Sequence, residues 1–288
     1  MWHLVKRVIS ISVKTYFIKF LLNKLNISYF CIFKINLGIM AGHSKWANIK
    51  HRKGRQDALR GKLFTRIAKE ITIAAKEGGG DPSANPRLRL AIANARSVNM
   101  PNDNITRAIK KGTGELEGAQ YLEITYEGYA PNGVAVILET VTDNRNRTVS
   151  EIRAMFSKLG GNLGETNSVA WNFERKGVVV IKTNNKTEEE LLEHVLNSGA
   201  DDLEYDEEES RIICNMNDFG TVYKYFEDNK FEIGESKLEF IPQNYVKISN
   251  IDDAKKVLKC IDAFEDHDDV QNVYHNMEID DSIANQIE

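Results

Sequence analysis

The fold of the N-terminal part is decided by residues 40–76, which read MAGHSKWANIKHRKGRQDALRGKLFTRIAKEITIAAK. From Lys62 onward the pattern is helical, because at about 100° per residue the side chains sort onto two opposite sides. The cationic side carries Lys62, Arg66, Lys69 and Lys76. The apolar side carries Leu63, Phe64, Ile67, Ile71, Ala74 and Ala75. This stretch therefore predicts an amphipathic helix with a core face and a cationic stripe.

A compact basic segment, with aromatic side chains among the cations, precedes this helix. Its candidate contact residues, which we call the lead-in cluster, are His43, Ser44, Lys45, Trp46, Lys50, His51, Arg52, Lys53 and Arg55. A cationic stripe on an isolated helix is usually a solvated outer face. Here the stripe continues the lead-in cluster, and only Asp57 offsets the positive charge before Glu70. We therefore favour contact with a polyanion over solvation alone.

The charge distribution along the chain supports this interpretation. The net charge of -4 over 288 residues conceals a strong asymmetry: residues 1–40 carry +6, residues 41–118 carry +9 and residues 119–288 carry -19. A polyanion would be attracted by the N-terminal third and repelled by the acidic remainder. Any nucleic acid is therefore expected to bind at one end of the molecule.

Two further helices are predicted in the basic part of the chain. Asn85 and Pro86 read as an N-cap and first helical position, and the next helix follows Pro101. Arg87 and Arg89 fall outside the apolar face of the first of these helices, and Lys110 and Lys111 lie near the end of the second. Cations in a last helical turn also favour the helix dipole, so the two lysines have a structural explanation as well as a functional one.

The pattern changes to mixed strands and helices after Gly118. Strands are predicted at 124–126 and 134–141, and a helix is predicted to begin at Thr148 in the capping box Thr148-Val-Ser-Glu. Turn and capping chemistry accounts for the Asp, Asn and Thr of the preceding loop, residues 142–147. It does not account for Arg145 and Arg147, which we therefore include among the candidate nucleic-acid contacts.

The remaining elements predict an α+β protein with one α/β domain inserted in another. Residues 177–241 have the order βαββαβ of a ferredoxin-like split motif. A helix at 251–264 and a strand at 270–277 lack partners nearby and are expected to complete the sheet that begins at 121–172. The predicted domains are a leader (1–39), a basic helical domain (40–118), a discontinuous α/β domain (119–176 and 242–288) and an inserted domain (177–241).

The sequence lacks the usual motifs of catalysis and cofactor binding. It contains no phosphate-binding loop, no G-x-S-x-G and no H-E-x-x-H, and the three cysteines are far apart without metal-ligand spacing. His267 lies within the acidic run 265–269 and could bind a cation weakly, but a solvated acidic helix end is the simpler interpretation. We expect no cofactor, no metal and no enzymatic activity, although a metal-dependent nuclease stays open as a remote alternative.

Residues 1–39 carry six cations and no acid, and those cations interrupt every apolar run. No stretch reaches the roughly 18 uncharged apolar residues of a membrane helix. Three interpretations stay open for this leader: upstream sequence that precedes a true start at Met40, an organelle transit peptide, or a functional arm. The second would make the protein mitochondrial, and otherwise we expect it in the cytoplasm.

Four motifs resemble the YebC/PmpR family. They are MAGHSKWANIKHRK at 40–53, MPNDNITRAIKKGTG at 100–114, YEGYAPNGVA at 126–135 and TDNRNRT at 142–148. The family contains bacterial proteins labelled probable transcriptional regulators and the mitochondrial translational activator of cytochrome c oxidase. The resemblance covers residues 40–288, and its motifs are more specific in the first half.

The resemblance implies a three-domain crescent without cofactor or catalytic activity. It leaves two functions open, a ribosome-associated translation factor that contacts RNA and a DNA-binding transcriptional regulator. We favour ribosomal RNA, because the cationic helix offers mostly Lys and Arg beside Ile and Ala, which suits backbone contact better than base readout. A monomer that binds nucleic acid, with the ribosome as its wider partner and no membrane contact, is the expected form.

Overall fold

The computed structural model describes residues 56–118 and 120–279, with side chains from Gly61 onward. The leader and the lead-in cluster, residues 43–55, lie outside the described residues. None of the described helices is long and apolar enough to cross a membrane.

Three helices form the N-terminal domain. They are α1 (Gln56–Gly78), α2 (Pro86–Ser97) and α3 (Asn102–Gly112). The apolar faces predicted from the sequence meet in one core, formed by Ile67, Ile71, Ala74, Ala75, Leu88, Ala91, Ile92, Ala95, Met100, Ile105 and Ala108. The amphipathic character of α1 is confirmed, since four buried residues of its apolar stripe lie in this core.

Asn85 joins the end of α1 to the start of α2. Its side-chain oxygen accepts from the Leu88 amide at 3.0 Å, which caps α2, and Pro86 occupies the first helical position as predicted. Its side-chain nitrogen donates to the Ala74 carbonyl at 2.7 Å and to the Gly79 carbonyl at 2.9 Å. One buried amide therefore satisfies backbone groups of two helix ends, which fixes the angle between the helices.

The next elements are β1 (Leu122–Tyr129), β2 (Ala135–Thr142), α4 (Arg145–Lys158) and β3 (Asn162–Leu163). Helix α4 begins three residues before the predicted start. Its N-cap is Asn144, whose side chain accepts from the Arg147 amide at 3.1 Å, and not Thr148. The predicted capping box is wrong because the Thr148 hydroxyl is buried and bonds to Thr142 and Asp269. Arg145 and Arg147 consequently lie in the first helical turn.

The middle of the chain follows the predicted βαββαβ order. Its elements are β4 (Phe173–Lys182), α5 (Glu188–Ser198), β5 (Asp202–Glu204), β6 (Glu209–Asn215), α6 (Phe219–Asp228) and β7 (Lys237–Pro242). They form an antiparallel sheet of order β5-β6-β4-β7. This is the strand order of a ferredoxin-like sheet, in which the first and third strands of the unit, β4 and β6, are central and β5 and β7 lie at the edges.

The last strand of this sheet is shorter than predicted. The sequence pattern over 231–241 predicts one strand, but β7 begins at Lys237, and Ile233 makes only an isolated bridge to Ile181. Ser236 interrupts the ladder, because its hydroxyl accepts from the Val180 amide at 3.3 Å in place of a backbone carbonyl. The Ser236 backbone instead exchanges two hydrogen bonds, of 2.9 and 3.0 Å, with the Asn94 side chain of α2.

The chain then returns to the first sheet. Its last elements are β8 (Val246–Ile248), α7 (Ile251–Glu265), β9 (Val270–His275) and β10 (Met277–Ile279). Strand β9 pairs with β2, which gives an antiparallel sheet of order β3-β1-β2-β9, and β10 pairs with β8 in a parallel pair. Helices α4 and α7 pack on this sheet through a core that includes Ile152, Phe156 and Phe264. The predicted completion of the first sheet by late elements is confirmed.

A buried carboxylate shapes the segment between the two sheets. Glu127 on β1 is only 6% exposed and accepts from three backbone amides, those of Asn167 at 2.7 Å, Val169 at 2.9 Å and Ala170 at 2.8 Å. Three charge-assisted hydrogen bonds of this length offset the cost of burying the charge. They hold the 3-10 turn Ala170–Asn172, from which β4 begins, against β1.

We predict that Glu127→Gln lowers the free energy of unfolding by about 1–3 kcal/mol, because the amide nitrogen would face backbone donors and leave at least one of them unpaired. Urea denaturation measures the loss, and hydrogen exchange at Val169 and Ala170 should accelerate. Glu165→Gln, on the exposed side of the same segment, is the matched control and should change neither quantity. Equal stability of the two variants would contradict the anchoring role.

Candidate nucleic-acid interface

The cationic stripe of α1 contacts the turn between α7 and β9, residues 265–269, which we call the α7–β9 turn. The Lys62 ammonium donates to the Asp266 carbonyl at 3.0 Å and to its carboxylate at 3.1 Å. The Arg66 guanidinium donates to the Glu265 carbonyl. Burial lowers the pKa of Arg66, and the nearby carboxylates, Glu265 foremost, oppose that change.

Lys69 is the most deeply placed cation of the stripe. The residue is 8% exposed, and its ammonium donates to the Val141 carbonyl at 3.1 Å, the Asp268 carbonyl at 2.9 Å and the Asp269 carboxylate at 3.2 Å. An ammonium has three protons, so these acceptors use its full donor capacity. Lys69 therefore holds two domains together and has no donor left for a phosphate.

The end of a helix explains why three cations converge on this turn. The last carbonyls of α7 lack partners within the helix and carry the negative end of its dipole, which cations stabilise. The carbonyls of Glu265, Asp266 and Asp268 are the groups that the stripe contacts. We expected the stripe to contact a polyanion and not only solvent. In the structure three of its four cations, Lys62, Arg66 and Lys69, contact this turn.

Asp269 is the centre of this interface. Besides Lys69, its carboxylate accepts from the Arg147 guanidinium at 2.7 Å and from the Thr148 hydroxyl at 2.8 Å. Burial alone would raise the pKa of Asp269, but the hydrogen bonds from Arg147, Thr148 and Lys69 outweigh burial and lower this pKa to about 2. The carboxylate is therefore ionised throughout the physiological range.

The two arginines of the predicted loop have different surroundings. Arg147 forms ion pairs with Asp143 at 3.1 Å and Asp269 at 2.7 Å, so its charge is compensated. Arg145 is exposed and has no carboxylate within 4 Å among the described residues. Of this pair, only Arg145 presents an uncompensated cation at the surface.

Helix α2 likewise carries one cation that forms ion pairs, Arg87, and two that form none among the described residues. Arg87 pairs with Glu70 at 2.9 Å, with Glu77 at 2.7 Å and with Glu123. Arg89 is exposed and unpaired within the described part of the chain, as is Arg96 seven residues later on the same helical face. Arg87 therefore bridges α1, α2 and β1.

Among the described residues, helix α3 carries the densest group of uncompensated cations. Lys110 and Lys111, both predicted from the sequence, are exposed, and Arg107 lies on the same side of the helix. None of the three has an ion pair in the described ranges. Arg96 and Arg107 were not among the predicted contacts. Helical spacing could have identified both, because Arg96 lies seven residues after Arg89 and Arg107 lies four residues before Lys111, so each shares a helix face with a predicted cation.

Within the part of the chain that the structure describes, one group of side chains has the composition of a metal site, namely Glu151, His267 and Asp269. The Asp269 amide donates to His267 Nδ1 at 3.1 Å, so the proton resides on Nε2, which donates to Glu151 at 3.0 Å. Both ring nitrogens are thus engaged, and Asp269 already holds two cations. Hydrogen bonding within the group accounts for its geometry, and it gives no support to a metal-dependent nuclease.

Comparisons with known proteins agree on one family. A model described as the TACO1/YebC protein N-terminal domain matches residues 44–115, and a model described as the TACO1/YebC second and third domain matches residues 121–277. A probable transcriptional regulatory protein of Chlorobaculum parvum is 53% identical over 250 residues, which is 86% of this chain and 99% of the relative. One of the same description from Syntrophomonas wolfei is 55% identical over 247 residues, covering 85% and 98% respectively.

A solved structure shares the fold. The crystal structure of a conserved hypothetical protein from Aquifex aeolicus matches with a TM-score of 0.77 and 47% sequence identity. The match covers 82% of this chain and 97% of that one. The α+β class predicted from the sequence is therefore confirmed.

We predict that the contact between stripe and turn weakens in acid. The native pKa of Asp269, about 2, lies below the value near 3.9 expected of an unfolded aspartate, so its stabilising contribution is complete above about pH 4 and is lost as the pH falls towards 2. Asp269→Asn should lower the free energy of unfolding by about 2–4 kcal/mol at pH 7, because Lys69 would lose its buried partner. Urea denaturation should show the same difference at pH 7 and pH 5 and a smaller one at pH 3.

Asp228→Asn, at the exposed end of α6, serves as the matched control and should leave the pH dependence of stability unchanged. A constant difference between Asp269→Asn and the unmodified protein from pH 7 to pH 3 would refute the assignment.

Proposed function

The chain belongs to the TACO1/YebC family, and from that premise we propose that it regulates gene expression by binding nucleic acid through its basic N-terminal domain, without catalysing a reaction. Its relatives carry the name of probable transcriptional regulatory proteins. The observation that carries the proposal is the group of exposed cations on α2 and α3 that have no ion-pair partner among the described residues. They are Arg89, Arg96, Arg107, Lys110 and Lys111.

The interdomain contacts narrow the set of residues that would meet the nucleic acid. Five of the predicted contacts are compensated by acidic groups or carbonyls of this chain: Lys62, Arg66, Lys69, Arg87 and Arg147. The proposal therefore rests on the lead-in cluster, on the cations of α2 and α3, and on Arg145. Phosphate contacts from such side chains would position the protein on a strand without reading its sequence.

We favour RNA on the ribosome over promoter DNA as the principal partner. Reading a promoter usually requires a helix that presents side chains to the major groove. Three cations on the polar face of α1, the longest described helix, contact the α7–β9 turn, so this face does not offer a continuous row of side chains for that use. Shorter elements with scattered Lys and Arg suit an irregular backbone better than a regular groove.

The acidic domains would restrict how the protein docks. Residues 119–288 carry a net charge of -19, which repels bulk RNA and would leave one orientation favourable. They would also suit contact with basic proteins. A monomer in the cytoplasm is the form that fits this proposal.

The second candidate is a DNA-binding transcriptional regulator. It is favoured by the printed names of the relatives, and the exposed cations of α2 and α3 would serve it equally well, because counterion release does not distinguish RNA from DNA. The two candidates differ in the nucleic acid that copurifies with the protein, not in the charge of the interface.

We predict that reversing Lys50, Arg52 and Lys53 to Glu weakens nucleic-acid binding more than tenfold at low salt. If about five phosphates are neutralised, the slope of log K against log salt should lie near -3.5 for single strands and -4.5 for duplex DNA, and the triple variant should lose roughly 2–3 of it. Fluorescence anisotropy with a labelled oligonucleotide measures both quantities.

The control for this variant makes the same charge change on exposed lysines of the acidic domains, Lys224, Lys255 and Lys259. It should leave the affinity within about twofold. Equal affinities of the two triple variants would remove the lead-in cluster from the proposal. Oligonucleotide recovered intact after incubation with Mg²⁺ or Mn²⁺ is also expected, and cleavage by the purified protein would contradict the non-enzymatic assignment.

We predict that tagged protein sediments with ribosomes through a sucrose gradient at physiological salt, and that crosslinking recovers ribosomal RNA. The triple Lys50, Arg52 and Lys53 variant should shift to the top of the gradient, because its phosphate contacts are lost. Enrichment of particular promoter fragments, together with absence from the ribosomal fractions, would decide for the transcriptional candidate.

A further inference from the structure

A groove of about 290 Å³ runs between α1 and α3. Its sides are formed by Phe64 of α1, by Met100 before α3, and by Tyr121 before β1. Its outer edge carries Asn104, Arg107 and Lys111, which recur along one face of α3. A volume of this size is at the lower end for small-ligand sites and suits one flat ring system, not a duplex or a large cofactor.

Tyr121 is held in place at one side of the groove. Its backbone carbonyl accepts from the Lys76 ammonium at 3.2 Å, which ties the segment before β1 to α1. The Lys69 ammonium lies 5.7 Å from the centre of the Tyr121 ring. A cation at that distance attracts the aromatic ring and adds to its positioning. The ring is therefore preorganised, while the ammonium itself is used by the interdomain contact.

The groove also offers polar groups without partners. The Tyr121 hydroxyl and the Asn104 side-chain amide make no hydrogen bond within the described part of the chain. An amide both donates and accepts, and so does a hydroxyl, which matches the mixed donors and acceptors on the edge of a nucleobase. Aromatic side chains alone would bind any apolar ring. The Tyr121 hydroxyl and the Asn104 amide favour a polar heterocycle, because they can form hydrogen bonds with its edge.

The rim of the groove is cationic. Arg107 and Lys111 are four residues apart on α3, both are exposed, and neither has a carboxylate within 4 Å among the residues that the structure describes. The groove lining contains no acidic residue. The occupant should therefore combine an anionic group with a flat heterocycle, and a nucleotide of a single strand has both.

We propose that this groove binds one unpaired nucleotide, with its base against Phe64 and Tyr121 and its phosphate against Arg107 and Lys111. This inference rests on the proposed nucleic-acid binding and specifies its substrate class as single-stranded or looped segments. Stacking on the aromatic side chains tolerates any base, so the groove adds affinity without strict sequence preference. A continuous duplex would not fit, because its bases are not accessible for such stacking.

The test compares a fluorescein-labelled ten-nucleotide RNA with RNAs of the same length in which the bases are removed and the phosphates kept. The full chain should bind the intact RNA about tenfold more tightly than the abasic RNA, the size expected for stacking of one base. Tyr121→Ala should abolish this preference, whereas Tyr121→Phe should keep most of it, because the ring is retained. Thermal denaturation of both variants checks that the fold is intact.

Two double variants with the same change in charge test the phosphate contact. Arg107→Glu with Lys111→Glu should lower the affinity for intact and abasic RNA alike, by about tenfold or more. Lys255→Glu with Lys259→Glu makes the same change in charge on α7, outside the groove, and should leave both affinities within about twofold. These residues are exposed, so folding should survive in both variants.

The outcomes separate the groove from the broader proposal. Absence of binding to any RNA or DNA by the full chain would overturn the proposed function itself. Binding with equal affinity for intact and abasic RNA, unchanged by Tyr121→Ala, would overturn the groove and leave the nucleic-acid function standing.

Discussion

The arrangement of the domains depends on a buried ion pair between Lys69 and Asp269. Their charged atoms lie 3.2 Å apart, and both side chains are about nine-tenths buried. Leaving either charge buried without its partner would cost several kcal/mol, so the interface is stable only when the pair is formed. Because Asp269 also accepts from Arg147 and Thr148, the same contact fixes the first turn of α4. The pair thus joins three segments that are distant in sequence.

This polar interface differs from the interiors that it connects. The helical domain, the first sheet with its helices and the second sheet each have a separate apolar core. A small apolar cluster around Ile137, Phe173 and Tyr274 joins the two sheets, whereas the described contacts that hold the helical domain to them are mainly hydrogen bonds and ion pairs. Such contacts fix the relative orientation of the domains through the directions of hydrogen bonds and the positions of charges, more than through buried apolar area. The Asn94 side chain illustrates this, since it pairs with the Ser236 backbone as a neighbouring strand would.

Several cations contact acidic groups and carbonyls of the same chain, and this limits the surface that is available for nucleic acid. Three cations of the α1 stripe contact the C-terminal end of α7, whereas the exposed cations of α2 and α3 and Arg145 have no ion pair among the described residues. The groove between α1 and α3 lies beside the interdomain contact, and Lys69 takes part in both through its three acceptors and through the ring of Tyr121. A nucleotide bound in the groove would therefore lie close to the residues that fix the domain arrangement.

Features that arise within about one helical turn or one strand could be predicted from the amino-acid sequence. The apolar face of α1, the Asn85 cap and the βαββαβ order followed from periodicity and short-range chemistry, and all agree with the structure. Local signals misplaced the start of α4, because the hydroxyl of Thr148 bonds to Asp269, 121 residues away. The contacts of the stripe likewise depend on the tertiary structure, because Lys69 and Asp269 are 200 residues apart in sequence. The helical pattern of α1 predicts a polar face but not which part of the chain packs against that face. The sequence shows that a residue is cationic but not whether its partner is water, a phosphate or a helix end. Only the folded structure sets the distances between charged groups, and those distances determine the partner.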